Sequence, residues 1–299
     1  MADGDIRERR LEGRVALITG GGRGIGRAIA RAYAAEGARL ALVSRTAAEL
    51  EETARLVGEE SNAEAITLTA DVASREQVGQ AVAQVLDHYG VIDVLVNNAG
   101  NIGPVNTVWN SDPEEWARTI AVHLMGVFYG CHAVLPAMLE RGSGRIVNMS
   151  GVGGPNTTAY DAAKTGIVNL TENLALELQD TPITVNAISP GSIHTRMWEE
   201  TRDLSLAIGD MATYERGVQV TSGEGASIER AAQLAVFLGS DDCGSLSGRL
   251  IRAFADRFED FPRTVDEIMA SEAYLLRRVD PYRPFPTSQA YPDLPIADP

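Results

Sequence analysis

Two side chains in this sequence have the chemistry to move a proton, Tyr160 and Lys164. Their spacing of four puts them on one face of the helix that the pattern predicts from Thr157 to Gln179. A phenol ionises near pH 10 and a neighbouring ammonium favours its phenolate, so a lysine at this distance would make the tyrosine a usable acid or base. On most helices a pair like this is only surface and stem packing. A second constellation changes its standing. The apolar run Val15-Ala16-Leu17-Ile18 passes through Thr19-Gly20-Gly21-Gly22-Arg23-Gly24-Ile25-Gly26 into a helical run from Arg27 to Glu36. Glycines there let the backbone turn sharply and approach a pyrophosphate closely, and the N–H groups of the helix start receive its negative charge.

These groups need a scaffold that brings separate turns to one rim, and the pattern supplies it. After the first helix come a strand at Arg39 to Val43, a helix at Thr46 to Glu60, a strand at Ala65 to Ala70 and a helix from Ser74 to Tyr89. Strands at Ile92 to Val96, Arg145 to Met149, Thr184 to Ile188 and Gly248 to Ala253 follow, with a long helix from Ser111 to Leu139 and a clear one from Ser227 to Leu238. Strands apolar on both faces, alternating with helices, predict a doubly wound, Rossmann-type α/β fold: a parallel sheet of about seven strands covered on both faces. In such sheets ligands bind beyond the carboxyl ends of the strands, where Asp71-Val72, Asn97-Asn98-Ala99-Gly100 and Pro190-Gly191-Ser192-Ile193-His194-Thr195 fall. Residues Gly191 to Gly225 break the alternation, with helical fragments at Trp198 to Ala207 and Ala212 to Arg216. They read as a lid beside the site or as an ordinary surface insertion, with Met197, Trp198, Met211 and Tyr214 as candidate apolar walls.

Composition sets further bounds. The 299 residues suit one large domain, here 13–255, with a flexible segment at 1–12 and an extension at 256–299 holding one helix, Val265 to Arg277, and a Pro-rich end from Pro281. A net charge of −15 disfavours nucleic acid and anionic membranes as partners, so a phosphate must be held by local arginines. The charged start and the absence of any apolar run near membrane-spanning length predict a soluble protein. Cys131 and Cys243 lack metal-ligand spacing and read as buried thiols of a reducing cytoplasm, and no metal site is expected.

The spacing Gly-x-x-x-Gly-x-Gly behind Thr19, the Asn98-Ala99-Gly100 turn and Tyr160-x-x-x-Lys164 together resemble the short-chain dehydrogenase/reductase family, from about Gly13 to Ala253. The resemblance implies that Gly20, Gly22, Arg23, Gly24, Ile25 and Gly26 cradle a dinucleotide. It assigns Asp71 and Val72 to the adenine, and Asn98, Ala99 and Gly100 to the turn beneath the adenosine ribose. Pro190, Gly191, Ile193 and Thr195 would lie over the nicotinamide carboxamide, with Tyr160 as acid/base and Lys164 on the nicotinamide ribose. Extended nucleotide-sugar enzymes share Tyr-x-x-x-Lys, but their usual glycine spacing and larger substrate domain are not seen here.

Two positions depart from the family pattern. Aligning Ile146-Val147-Asn148-Met149-Ser150 puts the usual catalytic serine on Gly151, and the following loop is short, so Ser150 is the expected source of the hydroxyl. The asparagine that normally bends the fourth helix and holds a water for proton relay aligns with His123. That imidazole either serves the relay or is a satisfied helix histidine with no catalytic part. A branch of the family with a Ser-Gly pair and a Gly-Arg-Leu-Ile strand matches Ser150-Gly151 and Gly248-Arg249-Leu250-Ile251.

The second strand ends in Leu42-Val43-Ser44-Arg45, without the carboxylate that would accept the ribose hydroxyls of NAD. Ser44, Arg45 and Arg23 can instead hold a 2′-phosphate, so NADP is the expected cofactor. The expected activity is interconversion of a small ketone and a secondary alcohol by a homodimer or homotetramer paired through its long helices. The alternative is a catalytically weakened NADP-binding protein acting as sensor or subunit.

Overall fold

The apolar pentapeptide Val15–Thr19 forms β1, and six more strands line up parallel to it: β2 Arg39–Ser44, β3 Ala65–Thr69, β4 Val94–Asn97, β5 Arg145–Met149, β6 Thr184–Ser189 and β7 Leu250–Arg252. Residues 9–276 are described in this computed structural model. The strand order is β3-β2-β1-β4-β5-β6-β7. Register pairs Ile18 with Leu42 on one side of β1 and with Val96 on the other. The chain runs outward from β1 to β3 and then returns to the far side of β1 at β4. A crevice therefore opens beyond the carboxyl ends of β1 and β4.

Alternation along the strands feeds two separate cores. Ala16, Ile18, Leu40, Leu42, Val94, Val96, Val147 and Met149 face one layer, which holds α1 (Gly24–Ala35), α2 (Ala47–Ser61) and α9 (Ile228–Gly239). Val15, Leu17, Ala41, Val43, Leu95, Ile146 and Val185 face the other, covered by α3 (Arg75–Tyr89), α5 (Gly126–Arg141) and α6 (Thr158–Glu177). Helix starts follow local chemistry: Ser74 accepts from the Gln77 N–H, and Asp112, ahead of Pro113, accepts from Glu114 and Glu115. Strand β3 is only partly buried because it is the edge.

The long helix expected from Ser111 to Leu139 is not uniform. Helix α4 (Pro113–Ile120) passes through a π-helical turn at Ala121–Met125 into α5. By length and composition alone the stretch Pro113–Arg141 would cross a membrane, which corrects the expectation that no run nears that length. Here it lies along the sheet, with Val127, Cys131, Val134 and Met138 in the core. Beyond β6, α7 (Arg196–Ala207) and α8 (Met211–Gln219) form the expected excursion, close enough at Gly217 to meet Arg202.

Both expected boundaries shift. Leu11 is wholly buried and Arg10 pairs with Glu36 at 2.6 Å, so the segment taken as flexible to residue 12 is anchored from residue 10. The extension past 256 is core. Phe258, Phe261, Val265 and Ile268 join the α1/α9 layer, and Phe261 meets Phe237 at 6.2 Å between ring centroids. The helix expected from Val265 to Arg277 is shorter, α10 (Val265–Met269), and Arg249 donates to the carbonyls of Ile268, Met269 and Ser271 at its end. Arg277 and the Pro-rich end lie outside the described residues. Phe261→Ala should therefore cost about 3–5 kcal/mol in urea unfolding, as for a core aromatic. A loss below about 1 kcal/mol would mark the segment as detachable.

Candidate active site

The crevice is fastened at its floor. Thr19 Oγ1 accepts from the N–H groups of Asn98 (3.0 Å) and Ala99 (3.1 Å), while Asn98 Nδ2 donates to the carbonyls of Thr19 (2.9 Å) and Gly20 (3.3 Å). Gly20 needs its positive φ of 66° here, and a Cβ on Gly26 would collide with the Gly20 carbonyl oxygen. Two residues that the motif reading missed brace the outer side of this turn. Arg27 and Thr53 both donate to the Gly22 carbonyl, at 2.6 and 3.0 Å. No side chain caps α1, so its first N–H groups at Gly24, Ile25 and Gly26 are free of side-chain acceptors. A tight glycine turn opening an uncapped helix is what a pyrophosphate needs, and the residues present fit a dinucleotide.

The rim beyond β2 and β3 carries the charges. Arg45 is exposed and Ser44 is engaged in its own turn with Thr46. Arg23 reaches Glu49 of α2 at 3.4 Å, so a carboxylate meets this arginine although none stands at the end of β2. Asp71 pairs with Arg118 of α4. Burial opposes ionisation of Asp71, but the Ala73 N–H and the Arg118 guanidinium together hold its carboxyl below the usual range. Val72 is buried against Gly126. On the β6 side Pro190 and Ile193 are buried, and Thr195 stands over Gly24 about where a Cβ there would touch it, at 3.5 Å.

Tyr160 and Lys164 do share a face of α6. A buried chain positions that helix: Asn97 of β4 donates to Asn148 of β5 (2.9 Å), which donates to Thr171 of α6 (3.0 Å). Lys164 Nζ donates to the Met149 carbonyl at 2.7 Å and lies 5.5 Å from the centre of the Tyr160 ring. Burial pushes the lysine down to about 7. Burial, followed by the Asp161 charge, pushes the tyrosine up to about 12. The expected lowering of Tyr160 by Lys164 is not found: burial and the Asp161 charge both act the other way and favour the neutral phenol.

Ser150 does not take the role expected of it. It is buried, and its hydroxyl donates to the Lys164 carbonyl at 3.2 Å. The next residue faces the tyrosine, since a Cβ on Gly151 would stand 2.7 Å from Tyr160 Oη.

His123 sits in the π-helical turn, 1 % exposed, edge-on to the Tyr160 ring at 5.3 Å between centroids. Its Nε2 is 2.7 Å from the Asn101 carbonyl and 3.2 Å from the Asn101 N–H, and the shorter contact assigns the proton to Nε2. Nδ1 is then a buried acceptor without a protein partner. The imidazole also occupies the space where a Gly100 Cβ would fall. Burial, reinforced by the Lys164 charge, lowers this histidine to about 3.

Sequence comparison supplies independent support. The family model described as short chain dehydrogenase matches residues 14–205. This chain belongs to the short-chain dehydrogenase/reductase family. It is 39 % identical over 249 residues to levodione reductase of Leifsonia aquatica, covering 81 % of this chain and 93 % of that one. The crystal structure of NAD+-bound xylitol dehydrogenase superposes with a TM-score of 0.76 at 33 % identity, over 81 % of this chain and 98 % of that one. That of a single-site variant of actinorhodin polyketide ketoreductase with NADPH gives 0.74 at 34 %, over 80 % and 95 %. Family membership makes this protein an oxidoreductase of the nicotinamide-using type.

Two outcomes follow from the geometry. Gly151→Ala should displace the Tyr160 hydroxyl and lower kcat at least tenfold, with cofactor affinity unchanged by calorimetry; unchanged kcat would show that nothing is gained by keeping that position bare. As pH falls from about 6.5 to 3, an unfolded histidine takes a proton that folded His123 refuses, so stability present above 6.5 is lost at up to about 1.4 kcal/mol per pH unit. Melting curves across that window should fall more steeply for the wild type than for His123→Gln. Parallel curves would count against the buried neutral imidazole.

Proposed function

We propose that this protein interconverts a ketone and a secondary alcohol with NADP(H), using Tyr160 as the proton donor in reduction. The observation that carries the reading is the Tyr160–Lys164 pair, held at the mouth of the switch-point crevice behind a glycine turn fit for a dinucleotide. A bound nicotinamide supplies or accepts the hydride. Tyr160, protonated at neutral pH, gives its phenolic proton to the carbonyl oxygen as charge develops there. Lys164, fixed on the Met149 carbonyl, sits where it can stabilise the resulting phenolate and hold a ribose hydroxyl. The buried Nδ1 of His123 beside Tyr160 can hold a water in line with proton return.

NADP is favoured by Arg45 just after β2, by Arg23 in the glycine turn and by the lack of a carboxylate at the end of β2. The names of similar structures include both NAD+ and NADPH, so the arginines carry the choice. The apolar residues that α5 and α6 leave exposed, Phe128, Leu139 and Leu176, support pairing of the long helices in a homodimer or homotetramer. Buried free thiols and the acidic charge are consistent with a cytoplasmic site of action. A second reading, a cofactor-binding protein with weakened turnover, is favoured by Gly151, which leaves no side-chain hydroxyl at the position facing Tyr160.

NADPH oxidation with a panel of ketones separates the two readings: turnover supports the first, and tight NADPH binding without turnover supports the second. In the active case Tyr160→Phe should lower kcat by about 10²–10⁴ with little change in cofactor binding. Calorimetry should show NADP+ binding more tightly than NAD+, with Arg45→Asp narrowing or reversing the preference. Equal or tighter binding of NAD+ by the unaltered protein would refute the cofactor assignment.

A further inference from the structure

Three segments leave the carboxyl ends of strands on the side of the sheet that carries Tyr160: residues 101–116 after β4, 150–161 after β5 and 193–225 after β6. Hydrogen bonds tie them together. The Asn106 N–H donates to the Asn156 carbonyl at 2.7 Å, Asn156 Nδ2 donates to Asp210 at 3.0 Å, and Trp116 Nε1 donates to Thr158 Oγ1 at 3.2 Å. Asn156 makes its bridge from a left-handed backbone, φ 71°, and Asp210 also caps α8.

The charges on these segments are one-sided. The first two segments contain no lysine or arginine, and they carry Asp112, Glu114, Glu115 and Asp161. The third has three arginines against six carboxylates. Arg196 is bonded to Glu200 at 2.9 Å and Arg202 to Asp203 at 2.7 Å, while Arg216 meets Gln219 at 3.3 Å; His194 meets Glu199 at 3.1 Å. The cations of this segment are thus mostly spent on its own acids. The same segments leave large apolar side chains in water: Trp109 and Val152 are 83 % and 85 % exposed, and Leu206, Ile208 and Met211 are exposed as well.

We infer that the substrate is a neutral, apolar ketone or alcohol taken free from solution, an alicyclic or aromatic one, and not an acyl thioester carried on a polyanionic coenzyme or on an acidic carrier protein. The inference rests on the ketone–alcohol reading of the site. A coenzyme A thioester brings several phosphate charges to segments that hold an excess of carboxylates and one arginine without a carboxylate partner, so its approach is repelled. A substrate carboxylate meets the same field. An apolar ring covers exposed Trp109, Val152 and Met211 at no charge cost, and its removal from water supplies the affinity.

The test is calorimetry on the full chain saturated with NADP+, with 4-phenylcyclohexanone and tetralone as neutral probes, 4-oxocyclohexanecarboxylate as the charged counterpart and acetoacetyl-CoA as the thioester. The neutral ketones should bind at least tenfold more tightly than the carboxylate, with the thioester weakest. Reversing charge on α7 with Glu199→Arg plus Glu200→Arg should narrow the gap for the thioester at low salt, and about 1 M salt should erase that gain. Equal or tighter binding of the carboxylate or the thioester would overturn the inference, as would failure of both neutral ketones to bind or a gap that charge reversal leaves unchanged. Ketone reduction by NADPH is measured beside it. Tight binding of the neutral ketones without reduction would sink the ketone–alcohol reading of the site and leave the ligand class standing.

Discussion

The Thr19 hydroxyl and the Asn98 amide hold together the ends of β1 and β4, the two adjacent strands between which the chain reverses its direction across the sheet. Sheet geometry alone would leave their outgoing turns to diverge, one toward α1 and the other toward α4. With four hydrogen bonds across the gap the glycine turn is pressed against the Asn98-Ala99 backbone, and a side chain at Gly20 or Gly26 has no room. The crevice, the uncapped start of α1 and the direction of the segment leading to His123 all depend on this contact. Its polar groups are largely buried, so losing one partner strands the others at a cost of about 1–3 kcal/mol.

A second constraint is desolvation. The fold places a lysine, a tyrosine and a histidine within one small region and gives none of them a carboxylate partner. Burial therefore drives each toward its uncharged form: the lysine downward, the tyrosine upward and the histidine well below its ordinary range. Such an arrangement costs stability in the resting protein, which the two apolar layers offset. Burial thus favours a neutral phenol beside a lysine whose charge is weakened. The missing side chain of Gly151 lets the tyrosine hydroxyl come close to the backbone there, within 2.7 Å of where a Cβ would stand.

The region past 256 shows how a segment without family resemblance can still be part of the core. Three aromatic rings, Phe237, Phe258 and Phe261, meet between α9 and the short helical turn Phe258–Arg263, and buried Arg249 spans from the start of β7 to the end of α10. The sheet edge at β7 is thereby supported, and with it the loop after β6 that lies over the glycine turn.

The doubly wound sheet, the glycine turn and the Tyr160–Lys164 pair were legible in the sequence because each is encoded locally: apolar runs of strand length, glycines at fixed offsets, and two side chains one helical turn apart. Strand order was not read from that pattern, since helical crossovers require parallel neighbours without fixing which strands adjoin, and the order comes from the folded sheet. The direction of a side chain at a strand end was not encoded locally. Ser150 and Gly151 differ by one position, and only the packed sheet decides that the serine turns to the Lys164 carbonyl while the glycine faces the phenol. Tertiary structure alone also placed Leu11 and Phe261 in the core, and paired Asp71 with Arg118 and Arg23 with Glu49, contacts between residues 26 or more apart in the chain. The upward shift of Tyr160 belongs to the same class. Sequence shows that a charge is near, but how much water has been removed around it is a property of the folded interior.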